Sequence, residues 1–95
     1  MNIDLTCGEN QKYKKSIEVF ALNFNTESKA FSMPYCAGDD WFQVLKCPLT
    51  IAPTSLSFQG GVSIHFARQE DADAFGAWLI EADKKVRHGF TTMRG

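Results

Sequence analysis

The sequence predicts an α+β fold: a single two-layer domain over residues 1–95, with an antiparallel sheet of four to five strands packed on one long C-terminal helix at about residues 69–88. Three observations predict it. Apolar residues recur at three- and four-residue steps in the last third of the chain, they alternate at every second position in earlier stretches, and turn-forming residues separate those stretches. Ninety-five residues also suit one hydrophobic core, because domains mostly span about 50–200 residues.

Taken in chain order, the opening segment to about Lys15 is polar, with Lys12, Lys14 and Lys15 clustered around Tyr13, and reads as a loose arm or an edge strand. From Ser16 to Phe24, Ile17, Val19 and Ala21 alternate onto one face and Phe20, Leu22 and Phe24 onto the other. Apolar residues on both faces describe a central strand. Asn25-Thr26-Glu27-Ser28 supplies a polar turn before Phe31, Met33 and Tyr35, which gives a first hairpin. Gly38-Asp39-Asp40 precedes Trp41-Phe42-Gln43-Val44-Leu45, and an aspartate there can cap a short helix that ends before Pro48. Trp, Phe and Val equally suit a strand.

Ser55 to Phe66 carries the clearest hairpin signal. Leu56 and Phe58 alternate, Gly60-Gly61 tolerates positive φ, and Val62, Ile64 and Phe66 alternate again, which leaves Ser57, Ser63 and His65 on a polar face. The helix rests on Ala72, Phe75, Trp78 or Leu79, Ala82 and Val86. Glu70, Asp71 and Asp73 crowd its first turn, Lys84, Lys85, Arg87 and His88 its last, and Gly89 stands where a left-handed C-cap would. Pairing of Glu81 with Lys85 and of Asp83 with Arg87 would add about 0.3 kcal/mol each. The expected core is Phe75, Trp78 and Leu79 against Leu56, Phe58, Ile64 and Phe66, each contributing about 1.5–3 kcal/mol on burial.

Composition narrows the function. Hydrophobic residues are 44% and charged residues 22% of the chain, which argues against disorder, and a formal charge of −1 removes the broad positive field of non-specific nucleic-acid binders. The longest apolar runs fall far short of the roughly 20 residues that cross a bilayer, and Met1-Asn2-Ile3-Asp4 lacks the features of a secretion signal, so a cytoplasmic protein without membrane contact is expected. Cys7, Cys36 and Cys47 are odd in number and have no CxxC spacing, which suits reduced thiols.

The stretch Gly60 to Phe75, a glycine-led strand ending in apolar-x-Phe followed by an acidic helix start, resembles the third strand and second helix of an RNA recognition motif over about one-sixth of the chain. The resemblance implies base stacking on rings carried by that strand. At the matching positions stand Gly61 and Ser63, which have no ring, and the family's first helix is not evident.

No catalytic, cofactor or metal constellation emerges. Cys7, Cys36, Cys47, His65 and His88 are not paired at zinc-ligand spacing, and no hydrolase elbow, HExxH helix or phosphate loop is present. A nucleophilic site would have to combine Cys36 or Cys47 with His65 or His88, with Asp39 and Asp40 as proton carriers. The expectation is therefore a non-enzymatic module without a cofactor that binds another protein or protein complex, an accessory or inhibitory factor of the kind phages and mobile elements carry. Its candidate anchors are Asp39, Asp40, Trp41 and Phe42, with Glu70, Asp73 and Glu81 as an alternative acidic face. The alternative is a single-stranded nucleic-acid binder using Lys12, Tyr13, Lys14, Lys15, Lys84, Lys85, Arg87 and Arg94. An exposed strand edge also leaves a homodimer open.

Overall fold

The computed structural model describes residues 1–8, 10–37, 40–48, 53–59 and 61–92, with backbone alone for 10–11, 35–37, 40–43 and 90–92. Seven strands pack against one C-terminal helix: β1 (Asn2–Cys7), β2 (Asn10–Glu18), β3 (Asn23–Asn25), β4 (Ala30–Ala37), β5 (Asp40–Lys46), β6 (Ser55–Ser57), β7 (Val62–Phe66) and α1 (Gln69–Thr92). The α+β class is as expected, but the strands do not form one antiparallel sheet. They form a four-stranded sheet in the order β2-β1-β7-β6 and a three-stranded sheet in the order β3-β4-β5.

The first sheet is mixed because β1 and β7 run parallel, with Ile3 beside Val62 and Leu5 beside Ile64. The N-terminal segment is thus neither an arm nor an edge. Ile3, Leu5 and Cys7 alternate onto the inner face and are buried, and β1 takes an interior position between β2 and β7. Ser16 to Phe24 is likewise not one central strand. β2 ends at Glu18 on the sheet edge, and the chain then leaves the ladder: Val19 and Leu22 are buried while Phe20 is half exposed.

Residues 41–46 form strand β5, not a helix, because β4 supplies a ladder in which Met33 pairs with Leu45 and Pro34 with Val44. Both hairpins form as expected. In the first, Asn25 Oδ1 accepts the N–H groups of Glu27 and Ser28 at 2.9 and 3.0 Å, which tightens the turn before Phe31 and Met33 enter the core. Lys29 closes that loop in the left-handed region at φ 56°. In the second, Leu56 pairs with Ile64 and Gly61 takes φ 135°, but Phe58 lies past the end of β6 and is 55% exposed, outside the core where the alternation placed it.

α1 carries the expected stripe of Ala72, Phe75, Leu79, Ala82 and Val86, all buried. It runs past Gly89 to Thr92, so Gly89 is a buried helical residue and not a C-cap, and the basic cluster lies inside the helix. Gly76 lets the helix approach the sheet: a β-carbon there would stand 3.2 Å from both Leu5 Cδ1 and Ile17 Cδ1. On the helix's other flank the Phe75 ring meets Phe31 of β4 at 4.8 Å and Phe66 of β7 at 5.5 Å, so one side chain ties both sheets to α1.

Candidate partner-binding site

The candidate anchors divide between a sheet edge and residues outside the described set. Asp39 lies outside it. Asp40, Trp41 and Phe42 open β5, the outermost strand of the three-stranded sheet. Between the pairs Tyr35–Gln43 and Ala37–Asp40, β5 has one residue more than β4, so Trp41 and Phe42 together stand against Cys36 in a bulge. Beyond the bulge the ladder is regular, and its phase follows from one bond, the Cys47 N–H donating to Phe31 O at 2.9 Å.

Hydrogen-bonded and non-hydrogen-bonded pairs alternate in an antiparallel ladder. Met33–Leu45 and Tyr35–Gln43 therefore exchange bonds, whereas Pro34–Val44 and Ser32–Lys46 do not. This places Pro34 where its missing N–H breaks nothing, since β3 begins too late to pair with it. It also turns the N–H and C=O groups of Val44 and Lys46 to the open side of β5. Val44 is 54% exposed there.

Glu70, Asp73 and Glu81 are exposed and fall within about 80° of one another around α1, and each is engaged by a neighbour. Glu70 pairs with Arg68 at 3.0 Å and Glu81 with Lys84 at 3.4 Å, the latter replacing the expected Glu81–Lys85 pair. Asp73 accepts a hydrogen bond from the Tyr13 hydroxyl at 2.5 Å. Burial pushes the Tyr13 phenol up to about 12, and the adjacent Asp73 carboxylate adds to the shift. Tyr13 is thus fastened to α1 and lies on strand β2, not on a loose arm.

The basic residues are split by the same geometry. At about 100° per residue, Lys84 and Arg87 fall on the helix flank beside β2, the side marked by Asp73 against Tyr13 and Gly76 against Lys15. Lys85 falls about 100° from Lys84, near the half-buried Trp78, and is exposed. Arg87 bonds Asp83 at 2.8 Å, as its spacing predicts. Lys12, Lys14 and Lys15 lie on the ordered strand β2, and Arg94 falls outside the described residues.

His65 Nδ1 lies 2.7 Å from Thr6 Oγ1, on the outer face of the four-stranded sheet. This face is polar throughout: Ser16 donates to Asp4 at 2.6 Å, and Ser57 and Ser63 pair beside them. Cys7 is buried and Cys47 half-buried, both as free thiols, while the Cys36 side chain is outside the described set. Among the described residues no three metal-type side chains converge. A half-open cleft of about 270 Å³ runs from Phe24 and Lys29 to Pro53 and Leu56. Ligand pockets usually exceed about 300 Å³, and the Thr54 hydroxyl on its wall already donates to His65 O at 3.0 Å.

Sequence reasoning placed Phe58 in the core and did not single out the exposed apolar residues Met1, Phe20, Val44 and Ile80. Ile80 had a visible signal, since it lies off the stripe formed by Phe75, Leu79 and Val86. Among the described residues no helix is long and apolar enough to cross a membrane. Comparison with family models, curated proteins and solved structures finds no match for the chain.

Proposed function

We propose that this chain is a non-enzymatic protein-binding module, an accessory or inhibitory factor of the cytoplasm that occupies a surface of a macromolecular partner. The supporting observation is β5: an open edge strand whose Val44 is 54% exposed and turns its backbone groups outward. Unpaired edges of this kind take up an extended segment of another chain through main-chain hydrogen bonds. Trp41 and Phe42, in the bulge at the start of that edge, are the side chains best suited to add specificity, and Asp40 supplies charge.

The test is affinity purification of the tagged protein from its native cells in nuclease and moderate salt, with wild type beside Val44→Pro. Proline at position 44 removes an outward N–H and no bond to β4, so the fold is retained. A stoichiometric protein partner present with wild type and lost with Val44→Pro supports the reading. Recovery of nucleic acid alone overturns it in favour of the basic segments.

A further inference from the structure

A second surface, independent of β5, lies on the β2 edge of the four-stranded sheet. We propose that the open edge of β2, together with the adjoining flank of α1, receives an extended acidic peptide carrying apolar residues at alternate positions, which adds as a further strand beside β2.

The backbone supplies the first argument. Met1 and Val19 exchange main-chain bonds, each at 2.9 Å, which sets the phase of the β1–β2 ladder. Ile3–Ile17 and Leu5–Lys15 are then the hydrogen-bonded pairs, and Asp4–Ser16, Thr6–Lys14 and Asn2–Glu18 the others. Lys14, Ser16 and Glu18 consequently direct their N–H and C=O groups to the side of β2 that has no strand neighbour among the described residues. The next N–H in this phase, that of Phe20, is taken by the Asp83 carboxylate at 2.7 Å. The protein itself thus places an acidic oxygen on the row of donors that a peptide would use.

The helix supplies the second. Asp73 at Tyr13, Gly76 over Ile17 and Lys15, and Asp83 at Phe20 fix how α1 is rotated above β2. Ile80 lies within that arc and is 38% exposed, because β2 is the last strand and nothing described extends beneath the flank of α1. A strand added there would bring alternate side chains up against Ile80, with Phe20, itself 50% exposed, at the end of the groove.

Charge selects the occupant. Lys14 is exposed on the outer face of β2, where the acidic side chains of an alternating strand would lie with its apolar side chains turned to α1, and the acids of that outer face are engaged, Glu18 by the Met1 ammonium at 2.7 Å and Asp4 by the Ser16 hydroxyl at 2.6 Å. A second copy of β2 paired antiparallel about Lys14 would oppose lysine to lysine, which destabilises strand pairing, and one paired about Ser16 would have to share Glu18 with the Met1 ammonium that already holds it. An acidic strand has the complementary charge.

The experiment titrates the full chain with nine-residue peptides alternating Asp or Glu with Val or Ile, and follows amide hydrogen exchange. The expected result is saturable binding that slows exchange at Lys14, Ser16 and Glu18. Ser16→Pro, which removes one outward donor and no main-chain bond to β1 along with the hydroxyl bond to Asp4, weakens binding about tenfold or more. Ser16→Ala, which loses only the hydroxyl, binds as wild type. Ile80→Asp weakens binding without lowering the unfolding midpoint, and Val44→Pro leaves it unchanged. Absence of binding, binding without protection of these three amides, or a single-stranded oligothymidine that binds more tightly than every peptide would overturn the proposal.

Discussion

Among the described residues four strands end a sheet, and the two longer ones, β2 and β5, are built on opposite terms. β2 carries Lys12, Lys14 and Lys15 along nine residues and lies under the flank of a helix, whereas β5 carries Trp41, Phe42 and Val44 along seven residues with a cation only at Lys46. Lysines along an edge hinder unguided strand pairing, and an apolar edge invites it. The contrast teaches that only β2 is guarded against indiscriminate association, so β5 is the edge whose cover must come from elsewhere. Within its described residues β5 is protected by the bulge at Trp41–Phe42, which disrupts the ladder locally.

The comparison requires both edges to belong to one cooperative unit, and Phe75 is the residue that joins them. Phe75→Ala removes a buried ring that touches Phe31 and Phe66 and would cost about 3–5 kcal/mol. A single denaturation transition at a lower midpoint is expected. Two separated transitions would break the unit into independent sheets.

Asp83 tests the guarded side. It is largely shielded and accepts hydrogen bonds from the Phe20 N–H and from Arg87, so Asp83→Ala should cost about 1–3 kcal/mol in denaturant titration. Exchange of the Phe20 amide should quicken at the same time. No change in that amide would mean that α1 does not clamp the end of β2.

Alkali probes the other clamp. The Tyr13 phenol has its folded value raised from 10.0 to about 12, so the folded protein holds a proton that the unfolded chain loses first. The stabilisation from Tyr13 is therefore complete below pH 10 and is lost as the pH rises through about 12. Stability curves of wild type and Tyr13→Phe should converge over that window, and tyrosinate absorbance should place one titration near its upper end.

The smallest stability effects are expected at the edges themselves. Val44→Pro and Ser16→Pro each remove an outward N–H, so each should change stability by less than about 1 kcal/mol. Their association behaviour should differ. Val44→Pro is expected to reduce concentration-dependent self-association in light scattering, while Ser16→Pro leaves it unchanged. Equal effects would erase the distinction between a guarded and an unguarded edge.

Much of the fold was legible because it rests on local periodicity. Ala72, Phe75, Leu79, Ala82 and Val86 define one face of a helix, and the residues around Asn25 and Gly61 define turns whatever surrounds them. The position of β1 was not legible. Ile3, Leu5 and Cys7 alternate correctly, but a parallel partner sixty residues away is not written in the local pattern. Trp41 to Leu45 carries helix and strand signals of similar strength, and pairing with β4 decided between them. Of the candidate site, residue types were legible and groupings were not. Tyr13 and Asp73 look like members of rival surfaces, yet they are bonded to each other.

The sequence by itself determined the α+β class, the long helix, both hairpins and the share of the apolar core that α1 and β7 supply, because these follow from side-chain spacing against a fixed backbone period. Only the tertiary structure decided that the strands divide into two sheets, that β1 is interior, and which strands end as open edges. Those outcomes depend on hydrogen bonds between distant segments, and the backbone groups that make them are the same at every residue, so no side-chain pattern announces which of them will be left unpaired.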